Sequence, residues 1–191
     1  MSDDIIKQLK KKYTDLGENH LHYLSGLFHS KPITYWDYVE VDTLLSLQKP
    51  RTDFKDETVF IIYHQVTELV LKLMIHEIKQ IVFEENLNEP IFKDKLKRLI
   101  RYTEMLITSF DVMKDGMSYE DYNKFRLSLT PASGFQSAQF RFLEIYCTPL
   151  INLVHQKKQK LLPDKPNIDD FFEHIYWRAK QVTIPKMAQK R

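Results

Sequence analysis

Residues 60–78 read FIIYHQVTELVLKLMIHEI. The apolar positions recur at intervals of three and four residues, which is the period of a helix and not of a strand. At roughly 100° per residue, Phe60, His64, Thr67, Leu71 and Ile75 lie within about 60° of one line. Asp56 supplies a first-turn acid upstream, and NLNEP breaks the pattern downstream, so the spacing predicts a long helix over about 57–86. A helix of that length forms the centre of a fold. It raises one question: why does a core-like helix carry an imidazole, an amide and a carboxylate at His64, Gln65 and Glu68?

Working outward, the rest of the chain also reads as helix. Pro90 opens a helix at its first turn, with Phe92, Leu96, Leu99, Thr103, Leu106 and Phe110 on one face. Ser118 and Asp121 resemble a capping box leading into YEDYNKFRLSLT. TPASG interrupts the chain, and FQSAQFRFLEIYCTPLINLVHQKKQKLL is expected to continue as helix with a kink at Pro149. A last helix is expected from Ile168 to Lys180. Upstream, Ser2, Asp3 and Asp4 open a helix ending near Gly17, and a second runs over about 19–29 before Pro32. Thr34 caps a third, expected to reach Pro50. No segment shows strand alternation bounded by hairpin turns. The expected fold class is all-α, a multi-helix bundle with a central long helix. Residues 1–191 are expected to form a single helical domain, with 1–31 as an N-terminal arm and 32–181 as the bundle core.

Composition removes several functions. A hydrophobic share of 43% against 28% charged is that of a soluble globular chain. The net charge of +2 makes no case for nucleic acid or an anionic membrane. Uninterrupted apolar runs are short, so no segment is expected to span a bilayer, and the charged N-terminus lacks a signal peptide's apolar stretch. One cysteine, Cys147, excludes an internal disulfide and a thiolate metal cluster, and a cytoplasmic location is the default expectation. With four glycines there is no glycine-rich phosphate loop.

Two constellations carry chemistry. His64 on an apolar face is either a core histidine bonded to a neighbour or a histidine lining an apolar cavity, where a neutral ring accepts a hydrogen bond. His64 and Glu68 at i, i+4, followed by His76 and Glu77, also suggest a metal; but the E-x-x-H spacing of di-metal bundles is absent, and no metal ligand is assigned. Tyr122 and Arg126 share a helix face. Arg126 is either a surface arginine with its stem along apolar neighbours or a two-pronged clamp on a carboxylate. Tyr35, Trp36 and Tyr38 are core or pocket wall. Together these residues suggest a pocket for a small molecule with an apolar body and a carboxylate.

TYWDYVEVDTLLSLQ, DETVFIIYHQVTELVLKLMIHEI and FRLSLTPASGFQSAQFRFLE occur in the order found in tryptophan 2,3-dioxygenases, and the chain resembles that family over about residues 34–146. The resemblance implies an all-α, haem b-dependent and homotetrameric enzyme of tryptophan catabolism, the kynurenine pathway. Such an enzyme inserts both atoms of O2 across the indole C2–C3 bond of L-tryptophan, giving N-formylkynurenine. It implies that Phe60, Ile61, Ile62, Tyr63 and His64 form the distal pocket, with His64 as the catalytic residue that bonds the indole N–H. It implies that Arg126 binds the substrate carboxylate with Tyr122 beside it. Tyr35, Tyr38 and Val39 are implied to complete a neighbouring subunit's pocket, and Ser133 to lie near the haem.

Two family segments have no counterpart here: the H-x-x-M-type stretch that supplies the haem-iron histidine, and the G-T-G-G-S-S loop that follows it. His155 and His174 lie in no matching context. The sequence therefore reads as the distal-pocket portion of such an enzyme, or as a short member that does not hold haem in the family's manner. The alternative function is a non-catalytic or repurposed member that binds an indole-type ligand or acts only in assembly.

Overall fold

The structure is a computed structural model and describes residues 2–130, 132 and 134–178. Its helices are α1 (Ser2–Asp15), α2 (His20–His29), α3 (Tyr35–Tyr38), α4 (Val41–Leu45), α5 (Lys55–Phe83), α6 (Glu89–Ser109), α7 (Asp111–Lys114), α8 (Tyr119–Phe125), α9 (Ala138–Cys147), α10 (Gln156–Gln159) and α11 (Ile168–His174). Short 3-10 turns cover Arg126–Leu129, Gly134–Gln136 and Leu150–Leu153. Among the described residues there is no strand, only an isolated antiparallel bridge between Val154 and Ile175. The all-α expectation holds.

The chain divides between Leu47 and Gln48 into two compact units. In the first, Asn19 caps α2 through Leu21 N, and Tyr13 stacks on Tyr23 with ring centroids 4.1 Å apart. Thr34 caps α3 as expected, but the single helix to Pro50 does not form. Glu40 takes a left-handed backbone at φ 55° and separates α3 from α4. The β-branched Val39 and Val41 on either side of it are weak helix formers, so little opposes the break.

In the second unit α5 packs against α6, α7, α8 and α9. One face, with Val70, Leu71, Met74 and Ile78, is buried. Two carboxylates are buried with it. Glu57 accepts the backbone N–H groups of Arg51 and Thr52, each at 2.8 Å, and the Thr52 hydroxyl. Glu77 is paired with Lys95 at 2.8 Å and Arg98 at 3.2 Å on α6. These bonds tie the helix to its connectors and neighbours. By length and average composition α5 is nonetheless apolar enough to cross a membrane, which the short uninterrupted runs concealed.

Pro90 lies in the first turn of α6, as expected, and Asn88 caps the helix by accepting from Ile91 N. Ser118 caps α8 through Asp121 N, but the box is half-built: the Ser118 N–H donates to Asp56 Oδ2 at 2.6 Å. Gly116 precedes this cap where a Cβ would meet Val112 O at 2.5 Å. α9 ends at Cys147 and does not continue through Pro149, because a residue before proline is driven out of the helical region, and Thr148 is extended. The last helix stops at His174, six residues before the expected end. Ile175 turns extended to bridge Val154, and Ile175 and Trp177 are buried against Leu153. Arg141 of α9 is ion-paired to Glu144 at 2.7 Å, bonds the Tyr176 hydroxyl, and lies over the rings of Phe140, Tyr176 and Trp177.

Candidate functional site

The second unit contains an open cavity of about 870 Å³ whose wall includes Phe60, His64 and Glu68 of α5. Helical spacing explains the trio: at intervals of four residues they stand one above another on one face. The wall also includes Tyr122 of α8 and Arg126 of the following 3-10 turn, with Lys114 at the end of α7, Met117 and Ser118 of the connecting turn, and Tyr119 at the start of α8. Gly134, Gln136 and Ser137 close another side.

An aromatic cluster sets this geometry. Phe125 is fully buried beneath the wall, with Phe60 at 5.7 Å and Tyr122 at 5.6 Å, both edge-on. Phe60 lies 6.1 Å from Tyr122 and 4.1 Å from the His64 ring. Such pairs add about 0.5–1.5 kcal/mol each beyond the area they bury. They hold Tyr122 and His64 each against Phe60.

His64 Nδ1 lies 2.7 Å from the carbonyl oxygen of Phe60. The imidazole and the Arg126 side chain are exposed at the cavity rather than sealed in the core, which decides between the two readings of His64: it is not a core histidine. Glu68 is held by Gln139 of α9, whose Nε2 donates to the Glu68 carbonyl at 2.7 Å and to its carboxylate at 2.9 Å. Gln65 accepts from Gln48 at 2.6 Å. The amide and the carboxylate of the central helix thus tie it to neighbouring segments, while the imidazole faces the cavity.

The structure brings Phe60, His64, Tyr122 and Arg126 to one cavity. Ile61, Ile62 and Tyr63 are not on its wall; Ile62 is exposed on another face of α5, and Tyr63 meets His64 edge-on at 5.4 Å. Tyr35, Tyr38 and Val39 are exposed in the first unit. Ser133 lies outside the described residues. Glu68, Lys114, Met117 and Tyr119 line the cavity without having been singled out for it. KDGMSY reads in sequence only as a turn, and its position just before Tyr122 was the available signal.

The family model described as tryptophan 2,3-dioxygenase matches residues 25–164. Among curated relatives, a tryptophan 2,3-dioxygenase of Bacillus thuringiensis subsp. konkukian (strain 97-27) is 37% identical over 134 residues, covering 68% of this chain and 47% of the relative. Those of Ruegeria sp. (strain TM1040) and Anaeromyxobacter sp. (strain K) are each 40% identical, covering 59% and 61% of this chain and 40% and 44% of theirs. The chain thus spans less than half the length of these relatives.

Proposed function

This chain belongs to the tryptophan 2,3-dioxygenase family, and on that premise we propose that its cavity is the substrate side of an enzyme cleaving the indole C2–C3 bond of L-tryptophan with O2 to give N-formylkynurenine. The observation that carries the reading is the convergence of Phe60, His64, Tyr122 and Arg126 on one cavity. Arg126 offers a fork of donors for the substrate carboxylate. Phe60 and Tyr122 offer ring faces and edges for the indole. Because His64 Nδ1 sits on a carbonyl, which only accepts, its proton is on Nδ1, and in the neutral ring Nε2 accepts the indole N–H. Indole N–H is too weak an acid for an imidazole to deprotonate, so His64 acts by orientation and electrostatics more than as a general base.

Haem b in this family supplies the iron that takes up O2. Among the described lining residues His64 is the single imidazole and no thiolate is present, and among the described residues elsewhere no group of three or more His, Cys, Asp or Glu gathers to hold a metal ion. These residues fit the substrate and not the iron.

The same proposal reads residues 1–191 as one helical domain with a 1–31 arm. It takes the assembly as a cytoplasmic homotetramer whose neighbour lends Tyr35, Tyr38 and Val39 to the pocket, and places Ser133 near the haem and Ile61, Ile62 and Tyr63 in the distal pocket. L-tryptophan and O2 are its partners, without nucleic acid or membrane. The second reading is a member that binds an indole compound without turning it over, or that acts only in assembly.

Equilibrium dialysis of the purified chain against labelled L-tryptophan, with tryptamine as competitor, tests the pocket. An absorption spectrum after addition of haemin separates the two readings. A Soret band that shifts with L-tryptophan supports the enzyme, and tryptophan binding without one supports the second reading. Binding of neither tryptophan nor tryptamine defeats the pocket reading.

A further inference from the structure

L-Tryptophan brings an ammonium into the cavity beside its carboxylate, and a charge taken out of water without a partner is costly. Among the described residues that line the cavity Glu68 is the single carboxylate, against two cations, Lys114 and Arg126. Neither cation is paired with it. Lys114 reaches Asp115 at 3.4 Å, and Arg126 has no ion pair among the described residues. Glu68 is half-buried, and its carboxylate is held at one oxygen. Gln139 of α9 donates from Nε2 to Oε2 at 2.9 Å and to the Glu68 carbonyl at 2.7 Å. This fixes the side chain and leaves Oε1 without a partner among the described residues. The pairing of α5 with α8 sets where that oxygen stands. The Ser118–Asp56 bond and the Tyr122–Phe60 ring contact share an offset of 62 residues, so the two helices run in the same direction. The same offset brings Arg126 level with His64, one turn beyond those rings. Glu68 stands one turn further, about 6 Å along the axis.

We propose that Glu68 receives the substrate's ammonium, with Gln139 as the residue that positions it, and that this contact lets the cavity tell L- from D-tryptophan. The inference rests on the substrate reading of the cavity and names the group that would complete it. Carboxylate and ammonium are bonded to one carbon, so partners one helical turn apart can take the two groups. Ser118, Tyr119 and Tyr122 also line the cavity and carry oxygens, but neutral ones; Glu68 alone brings a compensating charge. His64 takes the indole end, Arg126 the carboxylate and Glu68 the ammonium, which are three substituents of one stereocentre. Held at two of them, a mirror-image ligand turns to satisfy both contacts. Held at three, it must give one up, and discrimination is the cost of that loss.

The experiment uses the full chain and equilibrium dialysis of L-tryptophan, D-tryptophan, tryptamine, which has only the ammonium, and indole-3-propionate, which has only the carboxylate. Glu68→Gln keeps an oxygen for Gln139 and removes the charge. It should weaken L-tryptophan and tryptamine about tenfold, the lower range for a bond to a charged group, and leave indole-3-propionate unchanged. The preference for L- over D-tryptophan should narrow in the same variant. Gln139→Leu, which removes the anchor, should follow the same pattern more weakly. Indole-3-propionate also reports that the cavity has kept its shape, so a fold defect is not mistaken for a lost contact. An equal loss for all four ligands, in Glu68→Gln and Glu68→Asp alike, makes the carboxylate structural and overturns the proposal. Unchanged binding of L-tryptophan and tryptamine in Glu68→Gln overturns it too, and leaves the substrate reading standing if Arg126→Leu still separates tryptophan from tryptamine. A wild-type protein that binds none of the four ligands removes the substrate reading, and this proposal with it.

Discussion

His64 and Arg126 stand on the cavity with much of their surface exposed, and this changes what their replacement should do. Removing an exposed imidazole leaves no core void, so His64→Ala should keep its circular dichroism and lower its urea midpoint only by the loss of the ring contact with Phe60, about 0.5–1.5 kcal/mol. Loss of one net hydrogen bond, about 0.5–1.5 kcal/mol, should weaken L-tryptophan binding several-fold in dialysis. 1-Methyltryptophan has no N–H to donate and carries a methyl group toward Nε2, so it should gain in the same variant. Unchanged affinity for both ligands would leave His64 without a role in binding. Arg126→Leu should cost tryptophan about 1–2 kcal/mol, the lower range for a bond to a charged group because solvent screens the site, and should leave tryptamine unaffected. Equal losses for the two ligands would mean that Arg126 does not read the carboxylate. The sharing of a face by Phe60 and His64 was legible in sequence because helical period alone dictates it. The exposure of His64 was not, since it depends on what α8 and its preceding turn leave open.

At the scale of elements, starts were more legible than ends. Ser118 and Thr34 announce helices through short-range bonds that a sequence carries in full. The stop at His174 depends on another part of the fold, through burial of Ile175 and Trp177, whereas the break at Glu40 is a left-handed backbone that a non-glycine residue rarely adopts and does not announce. The cap of α8 shows the same mixture. Its first half, Ser118 Oγ to Asp121 N, is local, but its second partner is Asp56, 62 residues away on α5. Asp56 thus holds the start of α8, and with it the cavity side formed by Ser118, Tyr119 and Tyr122. Asp56→Ala removes the acceptor of a charge-assisted bond and should lower stability by about 1–2 kcal/mol in urea titrations. It should also weaken tryptophan binding, although Asp56 is not itself on the cavity wall. Asp56→Asn retains an acceptor and should restore most of both. Identical behaviour of the Ala and Asn variants would show that the bond to Ser118 does not shape the site.

For the molecule as a whole, acid is the condition to which the larger unit should be most sensitive, because it is tied together through two buried carboxylates. Burial pushes the Glu57 carboxyl up, but the bonds from the Thr52 hydroxyl and the Arg51 and Thr52 N–H groups, with the Arg51 charge, outweigh it and hold the group below 4.5. Burial acts in the same way on Glu77, and Lys95 and Arg98 outweigh it. A depressed value in the folded state means that the unfolded chain takes up protons first as pH falls. The stability these groups contribute is therefore complete above about 4.5, their unfolded value, and is lost as pH drops through the folded values. Glu57→Gln separates the charge from the shape. The amide keeps an acceptor oxygen for the Arg51–Thr52 turn but forfeits the ionised form, so at pH 7 it should cost about 1–3 kcal/mol. At a pH below the folded value, wild-type Glu57 is itself neutral, and the two proteins should converge in urea midpoint. Added salt should change the gap at pH 7 little, because buried groups are weakly screened. A gap of equal size at pH 7 and in acid would mean that Glu57 stabilises the turn by its shape and hydrogen bonding alone, with no contribution from its charge.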